Sequence, residues 1–193
     1  MTQRGFTLIE MLLGLIVTSF LAQLAVPGFK GLLESQQRQS VAQSLAAGLR
    51  FARTEAIARN RAVVIHANGE DWSLGWRVIL DVSGRGHLDE DNPVLLERQH
   101  SGSVPVAGNG PVTNQVRFSG LGEPVFTGGG FRAGTVHVCD TSHAQSLYQI
   151  VLAPSGRISL RSDKTEQALC QGYSSTLSVR AASEPAVPWA WRT

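Results

Sequence analysis

Hydrophobic and polar positions divide the chain into two unequal parts. From Met11 to Phe29 there are nineteen residues without a charged side chain, and between Phe6 and Val26 the only charge is Glu10. Wound as a helix at about 1.5 Å per residue, the twenty-one positions from Phe6 to Val26 reach about 31 Å, close to the hydrocarbon thickness of a bilayer. Pro27-Gly28 comes next. Proline lacks an amide donor and its ring crowds the carbonyl four residues back, so a kink or a short unwound turn is expected near Pro27. Beyond it Val41, Leu45, Gly48, Leu49, Ala52 and Ala56 recur at spacings of three and four with Arg50 about opposite. That pattern predicts an amphipathic helix whose apolar stripe packs on a sheet, with Arg38, Arg50, Arg53, Arg59 and Arg61 as a solvated basic flank.

After Asn60 the period changes to that of strands. Ala62 to Ala67, Trp76 to Asp81, Val94 to Gln99, Gln115 to Phe118, Thr135 to Cys139, Tyr148 to Leu152, Arg157 to Arg161 and Leu177 to Arg180 are short β-branched or apolar runs bounded by Gly, Pro, Ser or Asn. Seven or eight strands with no helix between them cannot make parallel crossovers. The fold class is therefore α+β: a long N-terminal helix, its hydrophobic half membrane-spanning and kinked near Pro27, packed on an antiparallel β-sheet domain. The expected divisions are a leader at 1–5, a hydrophobic helix at 6–28, an amphipathic helix at 29–61, a β domain at 62–183 and a tail at 184–193. The tail has prolines at 185 and 188 that forbid a helix and two tryptophans, Trp189 and Trp191.

Composition changes this picture little. The 193 residues suit one domain plus an appended segment, and a formal charge of +2 is too small to imply a polyanionic partner. No GxSxG, P-loop, HExxH or nucleotide fingerprint is present, so an enzyme is not expected and no cofactor is implied.

Glu10 is the informative residue, because an acid inside an apolar helix is unfavourable unless something neutralises it. A cleaved secretory signal, a plain anchor helix and a helix whose acid is paired with a positive group on a neighbouring subunit all remain open on the residues alone. The run Gly5-Phe6-Thr7-Leu8-Ile9-Glu10 before an apolar helix resembles the type III signal of type IV pilins and pseudopilins. The resemblance implies that prepilin peptidase cuts between Gly5 and Phe6 and methylates the new amino terminus of Phe6. It also implies that Glu10 pairs with a terminal amine during fibre assembly. Further on, Ala52-Arg53-Thr54-Glu55-Ala56, Trp72-Ser73-Leu74-Gly75-Trp76 and Asp81 with a polar loop to Leu95-Leu96 are similar to the GspH/FimT branch of minor pilins, as is Pro154-Ser155-Gly156-Arg157.

From the resemblance follow a type IV pilin-like fold and a role as a minor pilin, a structural subunit in assembly or priming of a type IV pilus. The alternatives are a type II secretion pseudopilin and a FimT-like DNA-binding minor pilin for natural transformation. Expected partners are other pilins through the N-terminal helix, prepilin peptidase and the inner membrane before assembly. The globular domain is expected in the periplasm and then in the pilus or pseudopilus.

Some members of the branch bind DNA through a Gly-Arg-x-Arg segment; here Gly156-Arg157-Ile158-Ser159 lacks the second arginine. Arg161 stands two positions further on, and strand alternation would put it on the face of Arg157 about 13 Å away. Lys164 and Arg180 could extend the patch, with Asp163 and Glu166 beside it. Cys139 and Cys170 are the only cysteines. In an exported domain such a pair is expected as a disulfide closing a loop of thirty-odd residues, worth roughly 3 to 4 kcal/mol. The rival reading for that segment is a metal site using His137, Cys139 and His143. Asp81 to Asp91 places oxygen-bearing side chains at alternate positions as a calcium loop does, but Arg85 and His87 stand where oxygen donors belong, which favours a solvated turn.

Overall fold

A computed structural model describes residues 7–126 and 128–171, and of residues 22–30 the backbone alone. The Gly5–Phe6 bond, the strand expected at 177–180, Arg180 and the 184–193 tail lie outside the described residues. Two compact units divide at residue 38, Met1–Arg38 and Gln39–Thr193.

Helix α1 is 52 residues long, Leu8–Arg59, and contributes to both units. It is helical without a break through Pro27 and Gly28, so the unwound turn expected there does not occur. A long helix tolerates the loss of one hydrogen bond at proline when its other turns stay intact. In the first unit the apolar side chains from Leu8 to Leu21 stand exposed, among them Leu8, Ile9, Leu15 and Phe20. Thr18 and Ser19 turn their hydroxyls back onto the Gly14 and Leu15 carbonyls at 2.8 Å, which conceals their polarity within the helix. Among the described residues, no helix is long and apolar enough to cross a membrane.

In the second unit α1 buries Ala42, Leu45, Ala46, Leu49, Ala52 and Ala56, the stripe read from the spacing with Ala42 and Ala46 added. Small side chains permit close approach: at Gly48 even a methyl group would stand 2.6 Å from the Trp76 ring. The helix closes through Asn60 at φ 47°, where the Arg61 amide donates to Ala56 O and the Asn60 amide to Ile57 O. That is the left-handed C-terminal cap in which asparagine substitutes for glycine.

The strands are β1 (Val63–Ala67), β2 (Gly75–Leu80), β3 (Val94–Gln99), β4 (Val106–Gly108), β5 (Gln115–Phe118), β6 (Pro124–Val125), β7 (Gly134–Cys139), β8 (Gln145–Leu152), β9 (Ile158–Arg161) and β10 (Thr165–Glu166). They form two antiparallel sheets rather than one, in the orders β3-β2-β1-β5-β6 and β10-β8-β7-β4, with β9 also on β8. The expected strands inside the described region are all present; β4, β6 and β10, of two or three residues, are too short to show a period. Alternation on β1 sends Val63 and Ile65 to the core shared with α1, Phe118 and Trp76, and the second sheet adds Val136, Val138, Ile150 and Leu152 to the same core. Trp72 is buried with its indole N–H donating to Val112 O at 3.1 Å, which satisfies its one polar atom.

Candidate functional site

The arginines of the second half of α1 do not simply face solvent. Arg53 donates from Nε to Gly122 O at 2.9 Å and from a terminal nitrogen to Ser155 O at 3.4 Å, while Arg50 reaches Ile158 O at 3.5 Å. The helix is thus tied to the β5–β6 turn of one sheet and the β8–β9 turn of the other. Gly156 makes the second turn possible: it sits at φ 77° with its α-carbon against Gly122 O and the Arg53 guanidinium. A Cβ there would lie 2.8 Å from Arg53 Nε, and a positive φ already disfavours any other residue.

This arrangement leaves a pocket of about 340 Å³ lined by Arg50, Arg53, Thr54, Ile57, Arg157 and Ile158. Three arginines and two isoleucines share its lining. Arg50 and Arg53 hold main-chain carbonyls, and among the described residues none of the three arginines meets a carboxylate.

The expected basic residues lie at the two ends of β9 and beyond it. Arg157 precedes β9, in the turn closed by the Ala153 amide on its carbonyl at 2.9 Å, and gathers with α1. Arg161 pairs across the ladder with Gln149 at the other end of β9, and Lys164 is exposed in the connection that follows. Sequence reasoning treated Arg50 and Arg53 as a solvated flank. The contacts that recruit them span 69 to 108 residues, and no local pattern reports them.

Glu10 lies in the first turn of α1, where its amide meets Thr7 O at 3.1 Å and Thr7 Oγ1 at 3.4 Å. Thr7 and Glu10 therefore stand at the N-cap and N3 positions of α1, with the Thr7 hydroxyl accepting from the Glu10 amide.

Cys139 and Cys170 form the expected disulfide, buried on both sides. Oxidation removes Cys139 as a thiolate ligand, and His143 is exposed beside Asp140. Among the described residues no group of His, Cys, Asp and Glu side chains is placed to hold a metal ion. His137 belongs instead to a buried polar network. Its Nδ1 meets Ser146 Oγ at 3.0 Å, its Nε2 receives the Gln167 amide at 3.2 Å, and burial holds it below the ordinary histidine range. Gln149 joins this network, donating to Asp163 O at 2.6 Å and Thr165 Oγ1 at 3.0 Å, which fastens the segment leading to Cys170.

The Asp81–Asp91 loop is pinned rather than solvated. Asp81, fully buried at its side chain, pairs with Arg117 and accepts from the Gly86 amide at 3.0 Å. Asn92 bonds both Val82 N, at 2.9 Å, and Gly86 O, at 2.8 Å. The carboxylate that a cation would need is committed to an arginine. On the outer face of the first sheet His66 and His87 stack at 5.2 Å, with His87 3.2 Å from Glu70.

Comparisons with known proteins agree with this architecture. The family profile described as "Type II transport protein GspH" matches residues 41–156, and that described as "Prokaryotic N-terminal methylation motif" matches residues 1–22. Two crystal structures of the Pseudomonas aeruginosa (strain PAO1) type IV minor pilin FimU are similar in fold. In space group P65 the TM-score is 0.52 at 22% identity, covering 67% of this chain and 98% of that one. In space group P21 it is 0.52 at 20% identity, covering 69% and 96%. No curated protein matches the chain. The GspH match takes in more than half of the 193 residues, from the amphipathic half of α1 through β8 to the Gly156 turn, and the chain belongs to the GspH family, with an N-terminal methylation motif ahead of the domain.

Proposed function

We propose that the protein is a minor pilin, a non-enzymatic subunit that enters and helps to prime a type IV pilus through its N-terminal helix. The observation that carries this reading is the methylation motif at residues 1–22 set on a helix whose apolar side chains from Leu8 to Leu21 stand exposed among the described residues. Each large apolar side chain gains about 1.5 to 3 kcal/mol on leaving water, so such a helix needs either lipid or the helices of other subunits. The precursor would be held in the inner membrane with its β domain in the periplasm. Prepilin peptidase would cut between Gly5 and Phe6 and methylate Phe6, and the helix would then exchange lipid for neighbouring pilins. The similarity to FimU favours a pilus, and the GspH family description supports type II secretion as the second reading. DNA binding through Arg157, Arg161, Lys164 and Arg180 is a narrower role, with Arg157 supported by its place beside Arg50 and Arg53.

Mass spectrometry of the native protein tests the processing step: the expected amino terminus is N-methylated Phe6, and an intact leader sinks the reading. Glu10→Gln isolates the charge, because glutamine keeps the size of the side chain and the Thr7 cap on the residue's amide. The expected result is normal membrane abundance with depletion from sheared fibres, whereas equal incorporation would remove the pairing role. Deletion of the gene, scored for surface fibres and for secretion, distinguishes pilus from secretion system.

A further inference from the structure

The order β3-β2-β1-β5-β6 leaves β3 at the margin of the first sheet, and among the described residues no strand pairs with its outer side. His100 N donates to Leu74 O at 3.0 Å, and a Cβ at Gly75 would strike Arg98 O, so Arg98 and His100 direct their main-chain groups to β2. Antiparallel pairs alternate along a ladder, which turns the N–H and C=O of Glu97 and Gln99 outward. The aliphatic side chains of β3 are incompletely covered: Val94 is 54% exposed, and Leu95 and Leu96 are half-buried against the core. Such an edge is a template for another strand. The margins at β6 and β4 are engaged. β6 has two residues and carries the Val125–Phe131 bridge, while on β4 the Val106 amide donates to Ser73 Oγ and Gly108 abuts Val112 O.

The chain itself leads toward the open edge. Gln167 N donates to Ala144 O beside the β7–β8 turn, and the helical turn Ala168–Cys170 then crosses the end of the second sheet to Ala107 of β4, where Cys170 is bridged to Cys139. From Cys139 the contacts run on to β3: Cys139 N donates to Pro105 O at 2.9 Å, Val106 N to Ser73 Oγ at 2.9 Å and His100 N to Leu74 O at 3.0 Å. Residues 171–176, extended at about 3.3 Å each, cover about 20 Å, enough to follow that path. The segment after them, Leu177-Ser178-Val179-Arg180, alternates apolar and polar side chains.

We propose that residues 177–180 close the first sheet as a sixth strand, antiparallel to β3 with Ser178 opposite Glu97. The chain enters at the His100 end of β3 and runs toward Val94, so the antiparallel sense follows from where the disulfide holds Cys170. In this register Ser178 exchanges both main-chain hydrogen bonds with Glu97, and Thr176 stands opposite Gln99 to do the same. Leu177 and Val179 fall opposite Arg98 and Leu96, on the face where Leu96 lies beside Val78 and the core. Arg180 falls on the outer face, diagonal to Glu97, which is paired there with Arg77 at 3.1 Å. A slip of one residue would turn both aliphatic side chains outward and both polar ones to the core. The closed edge is denied to strands of other chains, whichever fibre the subunit joins.

Hydrogen exchange on the full chain in detergent, read residue by residue, tests this. The Glu97 and Gln99 amides should exchange about tenfold or more slowly in the wild type than in Ser178→Pro, because proline has no donor and cannot sit within a ladder. The Arg98 and His100 amides, which face β2, should be the same in both chains, so a misfolded variant cannot mimic the result. Register is read separately by cysteine pairing. Leu96→Cys with Val179→Cys should form a disulfide on oxidation, with the native Cys139–Cys170 peptide retained. Leu96→Cys with Ser178→Cys sets the sulfurs on opposite faces and should yield about tenfold less. Glu97 and Gln99 amides that exchange alike in wild type and Ser178→Pro overturn the proposal, as do equal yields from the two cysteine pairs. So does protection that grows with protein concentration, which would assign the edge to a second copy, or protection lost from β9 instead, which would put the segment on the second sheet.

Discussion

Removing the Cys139–Cys170 bridge should destabilise the domain by an amount set almost wholly by loop length. The cysteines are 31 residues apart. In the chain-entropy model the cross-link withholds about 12 cal/mol/K from the unfolded chain, about 3.7 kcal/mol at 25 °C. The native side loses little in a Cys139→Ala, Cys170→Ala variant. Gln149 still holds Asp163 and Thr165, and the Cys170 amide still donates to Gln167 O at 3.0 Å, so the segment stays docked by hydrogen bonds. Urea unfolding followed by tryptophan fluorescence is a suitable assay, since Trp72 and Trp76 are both buried in the core. With a slope of about 2 kcal/mol per molar urea, the midpoint should fall by about 2 M, and the reduced wild-type protein should agree with the double-alanine variant. A midpoint within about 0.5 M of the oxidised protein would refute the entropic account, because about 1 kcal/mol is too little for a loop of this size.

Three further outcomes are expected. Burial lowers the histidine affinity of His137, His66 and His100 for protons, so the unfolded chain binds more protons than the folded one as the pH falls through the ordinary value of 6.5. Stability is therefore complete above that value and is lost on acidification below it; thermal melts from pH 8 to pH 5 should show this, with a shallower fall in His137→Gln. Gly156→Ala forces a side chain onto Gly122 O at a positive φ and should cost about 2 kcal/mol or more by urea unfolding, with Arg157 displaced from α1. Arg117→Met strands the Asp81 carboxylate in the interior and should cost about 3 to 5 kcal/mol, while Arg117→Met with Asp81→Asn recovers much of it; if the single and double variants unfold alike, the buried pair is not what anchors the loop.

Much of the architecture is readable before folding because it rests on short-range patterns. Spacings of three and four marked the buried face of α1, and alternation located β1, β2, β3 and β5 to within a residue at each end. What escaped were contacts with no local signature. Strands of two residues, such as β6, have no period, and the partition into two sheets is decided by which strand each one meets. The Asp81 loop looked like a solvated turn because burial of a carboxylate depends on where Arg117 arrives, 36 positions later by subtraction of the two residue numbers.

The candidate site divides in the same way. Gly5 to Glu10, the apolar run behind them and the cysteine pair are properties of the chain itself, because processing, capping and the entropy of a closed loop depend on residues in order along it. Which arginines act together was decided only by tertiary packing. Arg50 and Arg53 share a pocket with Arg157 because the buried small residues of α1 let the helix lie close to both sheets, and because Gly156 leaves room for two turns to touch. Charge on a helix flank is visible in one dimension. Its convergence with a turn more than a hundred residues away exists only once the core has closed.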